Sequence, residues 1–192
     1  MMLSMVDFPT DNHGWSELLP PRLAVGSIQG AHRVPWVIVG GGLTGLSCAR
    51  RLAELYPNDE VLLLDARLIG QGASGRNSGF AVGVSHFPGP YKIQDKENID
   101  RVNRINQAGL ALLDQQITSQ SIHCQWDNSG FHHGAADTMS IKEHGHFVNY
   151  LDAIGTEHNN LNQDDMKGRF GTSLYKAGVH VKTGALVQPA AL

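Results

Sequence analysis

The stretch Val37-Ile38-Val39-Gly40-Gly41-Gly42-Leu43-Thr44-Gly45-Leu46-Ser47-Cys48-Ala49-Arg50-Arg51-Leu52-Ala53-Glu54-Leu55 decides the fold. An aliphatic run meets three glycines, and beyond them the apolar residues recur at helical spacing. Val34 to Val39 is read as a short strand covered on both faces, the pattern of a parallel sheet. Leu43 to Tyr56 is read as a helix with Leu43, Leu46, Ala49, Leu52 and Ala53 on its inward stripe, stopped by Pro57 and Asn58. Val61 to Leu64 supplies a second buried strand ending at Asp65, and a right-handed crossover makes the two strands parallel.

Gly40, Gly42 and Gly45 have the G-x-G-x-x-G spacing. The first glycine takes the tight turn, the second leaves room for a pyrophosphate beside backbone N–H groups, and the third lets the helix pack closely on the sheet. A phosphate there meets the positive end of the helix and its unpaired donors. Asp65 follows Gly45 by twenty residues, where a carboxylate accepts hydrogen bonds from an unphosphorylated ribose. A glycine turn in an unrelated α/β domain is the plain alternative. The spacing alone does not choose between a nicotinamide and a flavin dinucleotide.

Working outward, residues 1–33 hold Pro9, Pro20 and Pro21 and no sustained period, so they read as an extension with a short helix near Trp15 to Leu19. Gly70 to Gly89 reads as a glycine-rich loop. A long helix is expected from Asp95 to Ser121, with Ile99, Val102, Ile105, Leu110 and Leu113 on its apolar side. Two short extended pieces joined at Asn128-Ser129-Gly130 fill His123 to Ala136. A helix over Ile141 to Ile154, an extended piece over His158 to Leu161 and a short helix over Gln163 to Lys167 follow. The expected divisions are an extension at 1–33, the first part of a nucleotide-binding domain with the long helix at 34–121, a partial second α+β domain at 122–183, and a return segment at 184–192. The last residues read as the beginning of an element, which points to an incomplete polypeptide.

With 192 residues and 41% hydrophobic composition, the chain buries a real core. A formal charge of −3 with scattered basic residues gives no face for exchanging phosphate counterions, which excludes nucleic acid on electrostatic grounds. No apolar run reaches membrane-spanning length and no signal-peptide pattern opens the chain, so a soluble cytoplasmic protein is expected. Cys48 and Cys124 have no metal spacing and make no disulfide framework. Cys48 is expected to pack inside the first helix interface and Cys124 under a second-domain sheet. No metal site is expected: His132 and His133 face opposite sides of an extended segment, and His144 and His146 are read as polar-surface residues.

A second block, Gly70-Gln71-Gly72-Ala73-Ser74-Gly75-Arg76-Asn77-Ser78-Gly79, brings small residues that let backbone approach a flat cofactor, with Arg76 able to meet a phosphate or carboxylate. A glycine-rich surface loop with a solvated arginine is the bland reading. Val39 to Ser47, Asp65-Ala66-Arg67 and Gly72 to Gly79 together resemble the FAD-dependent amine and D-amino-acid oxidase superfamily, especially its gamma-glutamylputrescine-oxidase-like members. Tyr175 to Gly178 followed by Gly184 to Leu192 resembles the segment by which that family returns to its FAD domain, so the likeness runs in pieces from residue 34 onward.

The resemblance implies an α/β, Rossmann-like FAD-binding domain with a parallel central sheet, plus the beginning of an α+β substrate domain, and thus only the N-terminal portion of such an enzyme. It puts Gly40, Gly42 and Gly45 around the FAD pyrophosphate and Asp65 at the adenosine ribose, with Leu43, Thr44, Ala66 and Arg67 also among the cofactor-binding residues. It puts Ala73, Ser74, Arg76, Asn77, Ser78 and Gly79 toward the pyrophosphate or the isoalloxazine. Many relatives carry Glu at the position of Asp65 and glycine at that of Ser78. The implied reaction oxidises the C–N bond of a primary or secondary amine or amino acid by hydride transfer to FAD, with oxygen as acceptor and hydrogen peroxide as product. No residue is assigned as catalytic base. The implied partners are a small amine or amino acid, oxygen, and a complementary C-terminal chain or missing half. A flavin dehydrogenase with a partner acceptor and a non-catalytic dinucleotide-binding module are the alternatives.

Overall fold

The computed structural model describes residues 13–23, 26–85, 90 and 92–192. Pro9 in the expected extension and His86 to Gly89 in the expected glycine-rich loop lie outside the described residues. The chain divides into two compact units, residues 1–78 with 189–192, and residues 79–188. The long helix therefore belongs to the unit that begins at Gly79.

In the first unit a single helical turn, α1 (Gly14–Glu17), precedes β1 (Trp36–Val39), α2 (Leu43–Leu55) and β2 (Val61–Leu64). β1 and β2 pair in parallel, with Trp36 opposite Val61 and Val39 opposite Leu64. This is the parallel core of an α/β fold. Trp36 fixes the start of β1 by stacking on Tyr56 at 5.2 Å and donating from Nε1 to Asp59 Oδ2 at 2.9 Å.

The covering of this sheet differs from the sequence expectation. α2 lies over Ile38, whose Cγ2 sits 3.5 Å from the place a Cβ on Gly45 would take. Val37 and Val39 point to the other face and are 55% and 85% exposed. By register that face also carries Leu62 and Leu64. On α2, Leu46, Ala49 and Leu52 are half-buried while Leu43 and Ala53 are exposed. Cys48, expected in the helix interface, is exposed, because its place on the helix falls outside the Leu46–Ala49–Leu52 stripe.

The second unit is antiparallel. β3 (Phe80–Val82) pairs with β7 (Gly184–Leu186), and β4 (Phe131–Ala135), β6 (Ala177–Val181) and β5 (His158–Asn162) form a sheet in the order β4-β6-β5. The helices are α3 (Lys96–Ser119), α4 (Thr138–Ala153) and α5 (Gln163–Phe170). α4 begins ahead of the expected Ile141 because the Asp137 carboxylate accepts the Ser140 N–H at 2.8 Å while Ser140 Oγ accepts the Asp137 N–H at 2.9 Å, a reciprocal cap. The core gathers Val84, Ile99, Phe147, Tyr150, Leu151, Val179 and Val181. α3 contributes a polar anchor there: buried Asn103 donates to the Tyr150 hydroxyl at 2.8 Å and accepts from the Ser85 N–H at 3.1 Å. Ile105, expected on the apolar side of α3, is 60% exposed. Cys124 is fully buried, and burial pushes its thiol up from the usual range. His144 and His146, expected as polar-surface residues, are half-buried, with the His144 ring stacked on His133 at 6.4 Å.

The face of the β4-β6-β5 sheet opposite the core carries a histidine pair. His132 and His180 are cross-strand partners with ring centroids 4.4 Å apart, and Arg169 Nη1 lies 2.7 Å from His132 Nε2. A guanidinium only donates, so Nε2 is an acceptor and the His132 ring is neutral. Burial lowers the His132 pKa, and the neighbouring His180 and Arg169 charges lower it further. Burial lowers His144 as well. For these groups the unfolded chain binds a proton at a pH where the folded chain does not. Their stabilisation is whole above the unfolded value, about 6.5, and drains as pH falls from there toward the lower folded value. Thermal melts taken from pH 7.5 down to 5.5 are expected to show falling stability, with a shallower slope in His132→Phe. An unchanged slope in that variant removes His132 as a contributor.

Candidate dinucleotide site

The end of β1 and the start of α2 are held together by backbone. Gly40 turns the chain with φ +105°, a conformation open to glycine, and its N–H donates to Leu64 O at 2.7 Å. Gly45 sits so close to this turn that a Cβ would lie 1.8 Å from Gly40 O. Gly42 is the N-cap of α2, and a Cβ there would come 2.8 Å from Ser74 Oγ. Leu43, Thr44 and Gly45 form the first helical turn, whose amides have no carbonyl of their own helix to meet.

Asp65 reaches into the turn from the end of β2. Its Oδ2 accepts the Gly41 N–H at 2.7 Å and its Oδ1 accepts the Arg67 N–H at 2.8 Å. Each carboxylate oxygen has a second lone pair, so the residue ties the two strand ends together and still offers acceptors outward. Asp65 and Ala66 are exposed, and Arg67 is half-buried with Nη2 3.5 Å from where a Gly72 Cβ would stand.

The second glycine block docks on the same turn. Gly70 donates its N–H to Gly41 O at 2.8 Å, and Ser74 Oγ accepts the Leu43 N–H at 3.0 Å. Ala73 to Gly75 form one 3-10 turn. Arg76 Nε donates to Gln71 O at 2.8 Å and Asn77 Nδ2 to Ser74 O at 2.7 Å, so both side chains brace the loop from within. Ser78 is exposed. Gly79, buried with φ +76°, accepts the Val187 N–H at 2.9 Å and belongs to the second unit.

Of the residues expected at a cofactor, Gly40, Gly42, Leu43, Thr44, Gly45, Asp65, Ala66, Arg67, Ala73, Ser74, Arg76, Asn77 and Ser78 thus share one unit, and Gly79 heads the other. Two contributors were not singled out by sequence spacing. Gly41 is buried, and a Cβ on it would fall 2.3 Å from Ile69 Cδ1; Gly70 supplies the amide that docks the loop. The signal for Gly41 was present as the middle member of three consecutive glycines.

This arrangement fits a dinucleotide. The glycines leave a cradle that side chains would fill, an α-helix starts at its floor, and a carboxylate stands at the neighbouring strand end. No helix among the described residues is long and apolar enough to cross a membrane.

Comparison with known proteins extends this geometry. The glycine oxidase of Geobacillus kaustophilus superposes with a TM-score of 0.63 at 17% identity, over 84% of this chain and 42% of that one. The L-amino acid deaminase of Proteus myxofaciens gives 0.62 at 16% identity, over 88% of this chain and 37% of that one. In sequence, the L-2-hydroxyglutarate dehydrogenase of Escherichia coli is 27% identical over 154 residues, 79% of this chain and 34% of that protein. The chain spans less than half the length of each. The family model described as "FAD dependent oxidoreductase" (DAO) matches residues 35–192, from just before β1 through the glycine turn, Asp65 and both units. FAD is accordingly the dinucleotide of this fold, and the chain belongs to the DAO family of FAD-dependent oxidoreductases.

Proposed function

We propose that the first unit holds FAD at the glycine turn and that the chain is the N-terminal, flavin-binding portion of an amine or amino-acid oxidase of the gamma-glutamylputrescine-oxidase-like group. The observation that carries this reading is the fastening of two separate glycine blocks into one cradle through Gly70 N–Gly41 O and Leu43 N–Ser74 Oγ, with Asp65 at its edge. The Gly41 to Gly45 backbone and the α2 N-terminus receive the pyrophosphate, and the outward lone pairs of Asp65 accept the ribose hydroxyls. Ala73 and Ser74 bring backbone close to the cofactor, while Arg76, Asn77, Ser78 and Gly79 continue toward the flavin. When bound, FAD supplies a two-electron acceptor for hydride removal from a carbon beside nitrogen, with oxygen as terminal acceptor and hydrogen peroxide as product. The substrate is a small amine or amino acid, a reading supported by the names of the structural relatives. The partial α+β domain at residues 122–183, which falls within the second unit, serves as the substrate-side domain.

A complementary polypeptide, carrying the remainder of the relatives' length, covers the exposed Val37 and Val39 of β1. Parallel sheets are buried on both faces, whereas among the described residues Val37 and Val39 of this one are exposed. The match to a dehydrogenase over 79% of the chain favours, as a second reading, a flavin enzyme that passes electrons to a partner rather than to oxygen.

The test is a titration of the purified chain with FAD and, separately, with NAD, followed by denaturation and absorbance of the released cofactor. Saturable, stoichiometric FAD uptake is expected. Uptake of NAD with no flavin defeats the reading. Peroxide formed on amine addition to the chain with its complement separates the oxidase from the dehydrogenase.

A further inference from the structure

Two hydrogen bonds tie a segment outside the matched region 35–192 to the second glycine block. Trp15 Nε1 donates to Asn77 O at 2.9 Å, and Arg22 Nη1 donates to Ile69 O at 2.9 Å. Their acceptors are the carbonyls at the two ends of the loop that carries Gly70, Ser74 and Arg76. We propose that residues 13–23 form a strap, and that Trp15 and Arg22 are positioning residues which order the loop 69–77 for FAD.

The strap is built to hold a fixed length. α1 is a single turn, closed by Ser16 Oγ, which accepts the His13 N–H at 3.1 Å and donates to His13 O at 2.9 Å. One turn has no stability of its own in water, so its place depends on what it is anchored to. Trp15, half-buried, is that anchor. Pro20 and Pro21 stand between the two anchors, and their fixed φ stiffens the connection. Indole and guanidinium nitrogens are obligate donors, matched here to carbonyls that any loop sequence would present.

The loop transmits the tie to the cradle. Its internal bonds, Asn77 Nδ2 to Ser74 O and Arg76 Nε to Gln71 O, keep its shape, whereas Gly70 N–Gly41 O and Leu43 N–Ser74 Oγ set its seat on the turn. Arg76, Asn77 and Ser78 are exposed, so burial does little to restrain that end of the loop. Ordering it before FAD arrives removes an entropic cost from binding. The strap therefore acts on affinity without touching the cofactor.

This inference rests on FAD binding at the glycine turn, and the experiment separates the two. In the intact chain, Trp15→Phe keeps an aromatic side chain, though a smaller one, and removes the donor, Arg22→Met removes the other donor, and Arg22→Lys retains one. Amide hydrogen exchange of residues 69–78 is measured on the cofactor-free chain, and the FAD dissociation constant by quenching of flavin fluorescence. Faster exchange in the loop is expected in Trp15→Phe and in Arg22→Met, with exchange in β4, β5 and β6 unchanged. Their dissociation constants rise several-fold each and about tenfold together; Arg22→Lys restores most of its share. Unaltered loop exchange and unaltered affinity in the double variant overturn the strap. Should the double variant fail to fold, Trp15→Phe alone decides. An unmodified chain that takes up no FAD overturns the cofactor reading and the affinity half of this proposal, while loop exchange still decides whether the strap orders the loop.

Discussion

Gly45→Ala is expected to weaken FAD binding more than any other single change. The added Cβ would lie 1.8 Å from Gly40 O and 3.0 Å from its carbonyl carbon. Both are backbone atoms of the turn, so no side chain can swing aside to make room. Relief requires α2 to slide from the end of β1 or the turn to open. Either movement carries Gly41 N from Asp65 and Leu43 N from Ser74, two of the bonds now holding the cradle, at 2.7 and 3.0 Å. Overpacking of this kind costs about 1–3 kcal/mol, and the lost bonds add to it. FAD affinity is expected to fall at least about 100-fold, which corresponds to about 2.8 kcal/mol. The apo chain should melt at lower temperature too. Titration and melting check both; wild-type affinity in Gly45→Ala would mean that FAD binds elsewhere.

Asp65→Ala has the second largest expected effect. It strips the acceptor from Gly41 N–H and from Arg67 N–H together. Hydrogen bonds to a charged group are worth about 1.5–3 kcal/mol each, and removal also takes away the acceptors that face the ribose. The turn loosens and the nucleotide loses its carboxylate, so FAD affinity should drop by about 100-fold. Asp65→Asn separates these contributions. Its single amide oxygen satisfies one backbone N–H and presents its NH2 to the other, so an intermediate loss is expected. If both variants bind FAD as the unmodified chain does, the carboxylate is a strand-end tie with no part in cofactor recognition.

The features legible from residue order share a local cause. The bend at Gly40 needs a backbone that other residues resist, Gly45 needs the absence of a Cβ, and the run after Gly42 repeats at helical spacing. α2 accordingly lies at Leu43–Leu55, close to the span its spacing implied, and β2 lies at Val61–Leu64. α3, expected over Asp95 to Ser121, runs Lys96–Ser119 for the same reason.

β6 was not legible. Ala177-Gly178-Val179-His180-Val181 lacks a clean alternation, and it is a strand because β4 and β5 flank it on both sides. Its glycine serves packing: a Cβ on Gly178 would lie 2.4 Å from Met166 Sδ of α5. That neighbour is unrelated to any local period. The histidines show the same limit, since His132 and His180 are far apart in sequence and become one stacked pair through the β4-β6 register. An apolar run alone likewise implied a strand covered on both faces, whereas exposure of Val37 and Val39 is fixed by which elements stand beside it.

By itself, the sequence determined the strand-turn-helix-strand unit, its parallel sense, the glycine positions and Asp65 as the acid at the neighbouring strand end. These depend on φ, on steric room at a Cβ and on periodicity, all carried by a few adjacent residues. Tertiary structure alone decided that Asp65 grips Gly41 N, that Ser74 meets the start of α2, and that Trp15 and Arg22 hold the ends of the loop. Hydrogen bonds between such distant residues depend on where folding sets a donor and an acceptor within about 3 Å of each other, and residue order does not encode that distance.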